Sequence, residues 1–258
     1  MKKAILALWM TLYCSLSVAG TILPSVPDSK YLEFGDKFTC VQKLEINYGY
    51  IDEEKKQQLF GYASCVILSD EWLITSAHII NEQTKTVHLI YHNKKYFIEK
   101  MLVHKNADTN TKFSNRDMAD LALCKLSTKL EKFDKAVMAD ENVKVLGKVV
   151  TLCGYGNTGT FNTGVTKFDL KKRAGTNRIS GISNDILLSE TSRNENHTSL
   201  EMLVAGGDSG GGVFIDGELV GIICFIRSKD KKTSDYGDTN GFIDLRKYKG
   251  WINDIIEK

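Results

Sequence analysis

The chain has 258 residues, with 34 lysines and arginines against 32 acidic residues and a 42% hydrophobic content, enough apolar material for one large domain or two small lobes sharing a core. Charge so nearly balanced, with no basic stripe, excludes nucleic acid as a partner. No mature segment is long and apolar enough for a spanning helix, so no stable membrane anchor is expected.

Lys2 and Lys3, the apolar run Ala4 to Leu16, and the small residues Ser17, Val18 and Ala19 together describe a secretory signal peptide over residues 1–19. Cleavage after Ala19 or Gly20 takes both lysines and leaves 32 basic against 32 acidic residues. The mature protein is therefore expected to be secreted or periplasmic. Residues 20–37 hold both prolines, Pro24 and Pro27, and are expected to be an extended lead-in that could serve as a short propeptide.

From Phe38 the pattern changes to short β-type runs separated by polar loops. "FTCVQKL", "YASCVIL", "EWLITSA", "TVHLIYH", "KYFIEKMLVH", "DLALCKL", "KVVTLCG", "DILLSE", "GGVFIDGELVGIICFI" and "NGFIDL" are predicted strands. Asp216 and Gly217 split the ninth run as a two-residue hairpin turn, since both tolerate positive φ. The break between two β lobes is placed in residues 128–143. Tyr248, Trp251, Ile252, Ile255 and Ile256 fall on one face of a helix and predict a docked terminal helix. Once Cys14 leaves with the signal, Cys40, Cys65, Cys124, Cys153 and Cys224 remain. The number is odd, four of the five sit in apolar runs, and no two have zinc-ligand spacing, so buried inert thiols are expected, with no metal site.

The chemistry centres on "GGDSGGG", residues 206–212, where glycine density exposes one hydroxyl, Ser209, among backbone amides. A serine needs a base and an orienting acid. His78 ends the apolar run "EWLITSAH", and Asp120 opens "DLALCKL", where a carboxylate can be held from water and fix an imidazole's tautomer. His88 and His92 lie among Tyr and Lys and are expected at the surface. "GDSGG" also fits the nucleophile elbow of α/β-hydrolases, but there the histidine follows the serine, and no histidine follows Ser209.

"LITSAH", "DLALCKL" and "GGDSGGG", in that order, resemble the three motif blocks of the chymotrypsin-like (trypsin family) serine proteases. "CGYG" is similar to the turn that opens the family's second barrel, and "KRAGTN" at 172–177 resembles secreted bacterial members. The resemblance implies an all-β fold of two six-stranded Greek-key β-barrels with a C-terminal α-helix. Within a protease domain over 38–258, it implies an N-terminal barrel about 38–130, a C-terminal barrel about 144–245 and a helix about 246–257. It implies a monomeric serine endopeptidase that cleaves protein or peptide substrates through an acyl-enzyme, with no cofactor. His78 would be the general base, Asp120 its orienting partner and Ser209 the nucleophile, with the N–H groups of Gly207 and Ser209 as the oxyanion hole; each such donor is worth about 3 kcal/mol in the transition state. The alternative is a catalytically weak relative serving as a binding module.

Departures from the family pattern sharpen the expectations. Ile79 stands where a cysteine often follows the histidine, so the usual bridges are not expected. Cys224 takes the place of a serine that commonly bonds the triad acid, and Gly212 that of a proline. Leu203, six residues before Ser209, and its neighbour Val204 are apolar where enzymes cutting after Lys or Arg carry an acid. Cys224, Phe225 and Ile226 match the segment that lines the pocket, and a branched Ile226 should narrow it. A small or medium apolar residue before the scissile bond is expected. No "IVGG"-like terminus exists to pair with Asp208, so either cleavage after Lys30 frees Tyr31 or Asp208 is paired internally. Since His78 must be neutral to accept a proton, activity should rise through about pH 6.5 to 7.

Overall fold

The computed structural model describes residues 20–52, 57–107, 119–191, 197–230 and 234–257; the signal peptide expected over 1–19 lies outside them. The described chain begins with strand β1 (Gly20–Ile22) and helix α1 (Asp28–Gly35). The helix corrects the expectation of an extended lead-in. Proline just before its start and glycine at its end are ordinary helix punctuation, which the pair of prolines concealed. Tertiary contacts fix it: Tyr31 is fully buried and donates its hydroxyl to the Glu201 carbonyl at 3.1 Å. Arg173, also buried, reaches both carboxylate oxygens of Asp28 at 2.6 and 2.8 Å and both of Asp169 at 2.9 and 2.8 Å.

The first barrel contains β2 (Val41–Asp52), β3 (Gln57–Ile67), β4 (Trp72–Thr75), β5 (Thr86–Tyr91), β6 (Lys94–Val103) and β7 (Ala122–Leu126), closed in the order β2-β3-β4-β7-β6-β5. Strand β5 shows the one-sided alternation of a barrel wall, with Val87, Leu89 and Tyr91 buried and the residues between them half-exposed. Strand β4 is buried on both faces: Leu73 packs in the barrel core, and Ile74 packs in the apolar layer between the barrels.

After a link over 127–148 come β8 (Val149–Gly154), β9 (Thr158–Thr160), β10 (Gly164–Lys167), β11 (Arg173–Ser183), β12 (Ile186–Glu190), β13 (Met202–Leu203), β14 (Gly212–Ile215), β15 (Glu218–Arg227) and β16 (Thr239–Asp244). Six of them close a second barrel in the order β11-β12-β16-β15-β14-β8, and the rest join the N-terminal strand in a sheet ordered β10-β9-β1-β13. Strand β11, "RAGTNRISGIS", has too few large apolar residues to stand out in the sequence; it is a strand because β8 and β12 pair with its two edges. The β14–β15 turn has Asp216 and Gly217 at φ of 50° and 86°, with Ile215 opposite Glu218, as the Asp-Gly pair predicts.

Residues 245–248 make a short 3-10 turn that continues into α2 (Lys249–Ile256). Tyr248 and Ile252 are buried, and Trp251, Ile255 and Ile256 pack on the layer between the barrels, along the face their spacing predicts. Cys40, Cys65, Cys124, Cys153 and Cys224 are all buried and unbridged. Among the described residues no helix is long and apolar enough to cross a membrane.

Candidate active site

Strands β4 and β7 pair antiparallel with Thr75 opposite Ala122, so the chain beyond Thr75 and the chain before Ala122 meet at one edge of the first barrel. A 3-10 turn over Ala77–Ile79 then sets His78 beside Asp120. The carboxylate accepts the His78 backbone N–H at 2.8 Å through Oδ1 and faces Nδ1 at 2.6 Å through Oδ2. The Asp120 side chain is 3% exposed and that of His78 27%. An ionised carboxylate can only accept, so Nδ1 carries the proton and Nε2 is left to accept. It lies 2.9 Å from Ser209 Oγ.

Burial pushes the His78 imidazole down, but the charge of Asp120 and the hydrogen bond to it outweigh burial, and the net position is above the ordinary histidine value. Burial would likewise raise Asp120; the charge and hydrogen bonds of His78 and the thiol of Cys224, whose Sγ donates to Oδ2 at 2.8 Å, bring it below the usual carboxylate range. The only group of potential metal donors among the described residues is His78, Asp120 and Cys224, within 4.8 Å of one another. Their hydrogen bonds already join them. Burial and the Asp120 charge push the thiol up, keeping it a protonated donor instead of a thiolate ligand.

The turn that presents Ser209 runs against both barrels. Gly207 and Gly210 have φ of 92° and 82°, which favours glycine, and a side chain at Gly210 would put its first carbon 2.0 Å from Thr75 Oγ1 and 2.2 Å from the Ser64 carbonyl oxygen. Ile223 O accepts Gly210 N at 2.8 Å and Ser76 Oγ at 2.7 Å, tying the serine turn to the end of the histidine strand. Among the described residues, the N–H groups of Gly207 and Ser209 have no acceptor. At Gly212 the Phe214 ring fills the space a side chain would need.

Asp208 is 1% exposed, and its carboxylate accepts N–H groups from Gly156 at 2.8 Å and Ala205 at 3.1 Å. Gly154 and Gly156 of the "CGYG" segment are glycine because a side chain at either would collide with this carboxylate. Of the two arrangements expected for Asp208, the structure departs from a terminus freed at Tyr31 and has the carboxylate engaged inside the fold. Tyr31 lies inside α1, and it is Gly20, the first residue of β1, whose N–H bonds Asp208. No Lys or Arg forms an ion pair with Asp208 among the described residues. Burial pushes its carboxyl up to about 7, against the pull of these amides and the charge of Arg173.

The residues expected to bind substrate are spread over several surroundings. Leu203, wholly buried, packs with Leu23 and Phe161, and the half-buried Ile226 and Tyr236 lie against them. Val204 instead packs in the core of the second barrel. Cys224 bonds Asp120, while Phe225 lies against the layer between the barrels with the Arg227 guanidinium 5.8 Å over its ring. The sequence pattern singled out neither Gly20 nor Ser64, a buried hydroxyl in β3 that touches the serine turn. Gly20 adjoins the small residues 17–19, which is a signal; Ser64 is one polar letter in an apolar run, which is none.

A family model described as Trypsin matches residues 52–252. No curated protein matches the chain in sequence. Among solved structures, HL collagenase superposes with a TM-score of 0.63 at 15% identity, covering 86% of this chain and 94% of its own. Neuropsin, a serine protease expressed in the limbic system of mouse brain, gives 0.59 at 18% identity, covering 90% and 97%. At such identities the two structures share the fold of this chain.

Proposed function

The chain belongs to the trypsin family and is a serine-type endopeptidase, and from that premise we propose that His78, Asp120 and Ser209 are its catalytic triad, working through an acyl-enzyme. The observation that carries the reading is the line from Asp120 Oδ2 through the imidazole to Ser209 Oγ, with contacts of 2.6 and 2.9 Å. Ser209 Oγ attacks the scissile carbonyl carbon as Nε2 takes its proton. The tetrahedral oxygen that results is met by the N–H groups of Gly207 and Ser209, which have no other acceptor among the described residues. Collapse expels the amine, which carries off the proton from Nε2; water then repeats the sequence on the ester.

The protein acts as a monomer on protein or peptide substrates, with a small or medium apolar residue before the scissile bond. Leu203, at the position that would set charge preference, is closed in by Leu23 and Phe161, and Asp238, on the segment that brings Tyr236 to this cluster, is engaged by the amides of Lys229 and Asp235. Residues 1–19 act as the export leader. Their removal after Ala19 turns the Gly20 amide into an ammonium at the buried Asp208 carboxylate. A separate propeptide over 20–37 is disfavoured, since Gly20–Ile22 forms the centre of a sheet and Tyr31 is buried.

A fluorophosphonate probe tests the central reading. The mature protein should be labelled at Ser209 and Ser209→Ala should not; failure of the folded wild-type protein to react would leave the binding-module alternative.

A further inference from the structure

Ser64 stands on β3 where that strand has an open edge. Pairing of β3 with β4 covers only Val66 and Ile67, so the side of Ser64 turned away from β2 meets the second barrel. Three groups of this one residue are engaged there. Its backbone N–H donates to the Ser209 carbonyl at 2.9 Å, and its hydroxyl donates to the Gly207 carbonyl at 2.8 Å. The hydroxyl also accepts the Tyr155 N–H at 2.9 Å, which directs its own proton toward Gly207. The Ser64 carbonyl accepts Thr75 Oγ1 at 2.8 Å, three residues before His78. The residue is fully buried.

We propose that Ser64 is the positioning residue of the oxyanion hole, gripping the carbonyls of the same two residues whose N–H groups point at the developing negative oxygen. Gly207 sits at φ of 92°, a region with little steric restraint for glycine, and can turn its peptide planes unless something holds them. The Ser64 hydroxyl holds the 207–208 peptide from the opposite barrel, on the other side of that plane from the Asp208 N–H bond to the Ala205 carbonyl, and its backbone N–H holds the 209–210 peptide, so the planes next to both oxyanion donors are fixed. Through Thr75 the clamp is joined to the end of β4, which leads into the turn that carries His78, so acid, base, nucleophile and hole share one frame.

The inference rests on the triad reading, and its test separates the two. Ser64→Ala keeps the backbone N–H and deletes the hydroxyl. Against an apolar peptide substrate, kcat should fall about 10- to 100-fold while KM stays within about twofold, since a misdirected oxyanion donor acts on the transition state. A peptide aldehyde, whose adduct carries the tetrahedral oxygen, should lose affinity in parallel, and the matching product peptide should not. Ser64→Thr, which keeps the hydroxyl, should restore most of the rate. If the alanine variant does not fold, Ser64→Cys keeps the shape with a weaker donor, and a several-fold fall in kcat at unchanged KM is expected. A folded variant with wild-type kcat, or with equal losses for aldehyde and product peptide, overturns the inference while the triad stands. A wild-type protein unreactive toward fluorophosphonate overturns the triad itself.

Discussion

The thiol of Cys224 and the imidazole of His78 share one oxygen, Oδ2 of Asp120, at 2.8 and 2.6 Å. A thiol is a weaker donor than a hydroxyl, so the carboxylate keeps more of its charge for His78. Cys224→Ser should move the acid limb of kcat/KM to lower pH, and Cys224→Ala should move it higher. Catalysis at the plateau should stay within about tenfold of wild type in both, because either change touches the triad through one hydrogen bond. A pH profile of the three proteins checks the order.

The direct triad changes are larger. Ser209→Ala and His78→Ala should each lower turnover roughly 10⁴- to 10⁶-fold, and Asp120→Asn about 10⁴-fold, with melting temperatures close to wild type. Single-turnover assays on a chromogenic ester would measure this.

Activity should fail in acid earlier than an isolated histidine would dictate. His78 lies above its ordinary value of about 6.5 because Asp120 outweighs burial, so it becomes protonated, and useless as a base, at a higher pH. The midpoint of the acid limb should therefore exceed 6.5, the ordinary value. Ionic strength should move it little, since the pair is shielded from solvent.

A chain that keeps Ala19 should be a poor enzyme. With an amide at residue 20 the Asp208 carboxyl sits up at about 7, far above its unfolded value. The folded form then holds the proton more tightly, so stability is greatest below about pH 4 and declines as pH rises toward 7. A free Gly20 ammonium pairs the carboxylate and removes that decline. Melting curves from pH 4 to 8, on chains beginning at Ala19 and at Gly20, should diverge as pH increases. The longer chain should also lose about 100-fold in kcat/KM. A substituent on Gly20 is no remedy, as it would meet Met202 and the Asp208 carboxylate.

Arg173→Met should cost about 3 kcal/mol of unfolding free energy in urea, because the largely buried Asp169 loses its bidentate guanidinium partner and keeps only the exposed Lys167 ammonium. Helix α1 would lose its anchor through Asp28 in the same step, so faster proteolysis near residues 28–35 should accompany the drop.

What the sequence disclosed, it disclosed through local chemistry. Strands such as Thr86–Tyr91 alternate, Asp216 and Gly217 can take positive φ, and Ser209 lies in a glycine run that follows the His78 and Asp120 blocks in the order of a known family. What stayed hidden depends on partners distant in the chain. Strand β1 is three residues long and exists because β9 and β13 flank it; β11 is polar and exists because β8 and β12 do. Leu203 and Val204 are adjacent apolar letters, and only the alternation of side chains sends one toward Leu23 and the other into the barrel core. Ser64 gains its place from an opening between β3 and β4 that no composition rule records.

The five sulfhydryls among the described residues set how this enzyme would age. Burial pushes Cys40 up to about 11 and Cys124 up to about 12, and holds the other three well above the normal thiol range, so the native protein gives oxidants little thiolate to attack. Reductants, for their part, find no bridge to cut among those residues. Heating removes both protections at once: an opened chain in air offers these five sulfurs as reactive thiols with no native mate among the described residues, and scrambled crosslinks would turn a reversible transition into permanent loss.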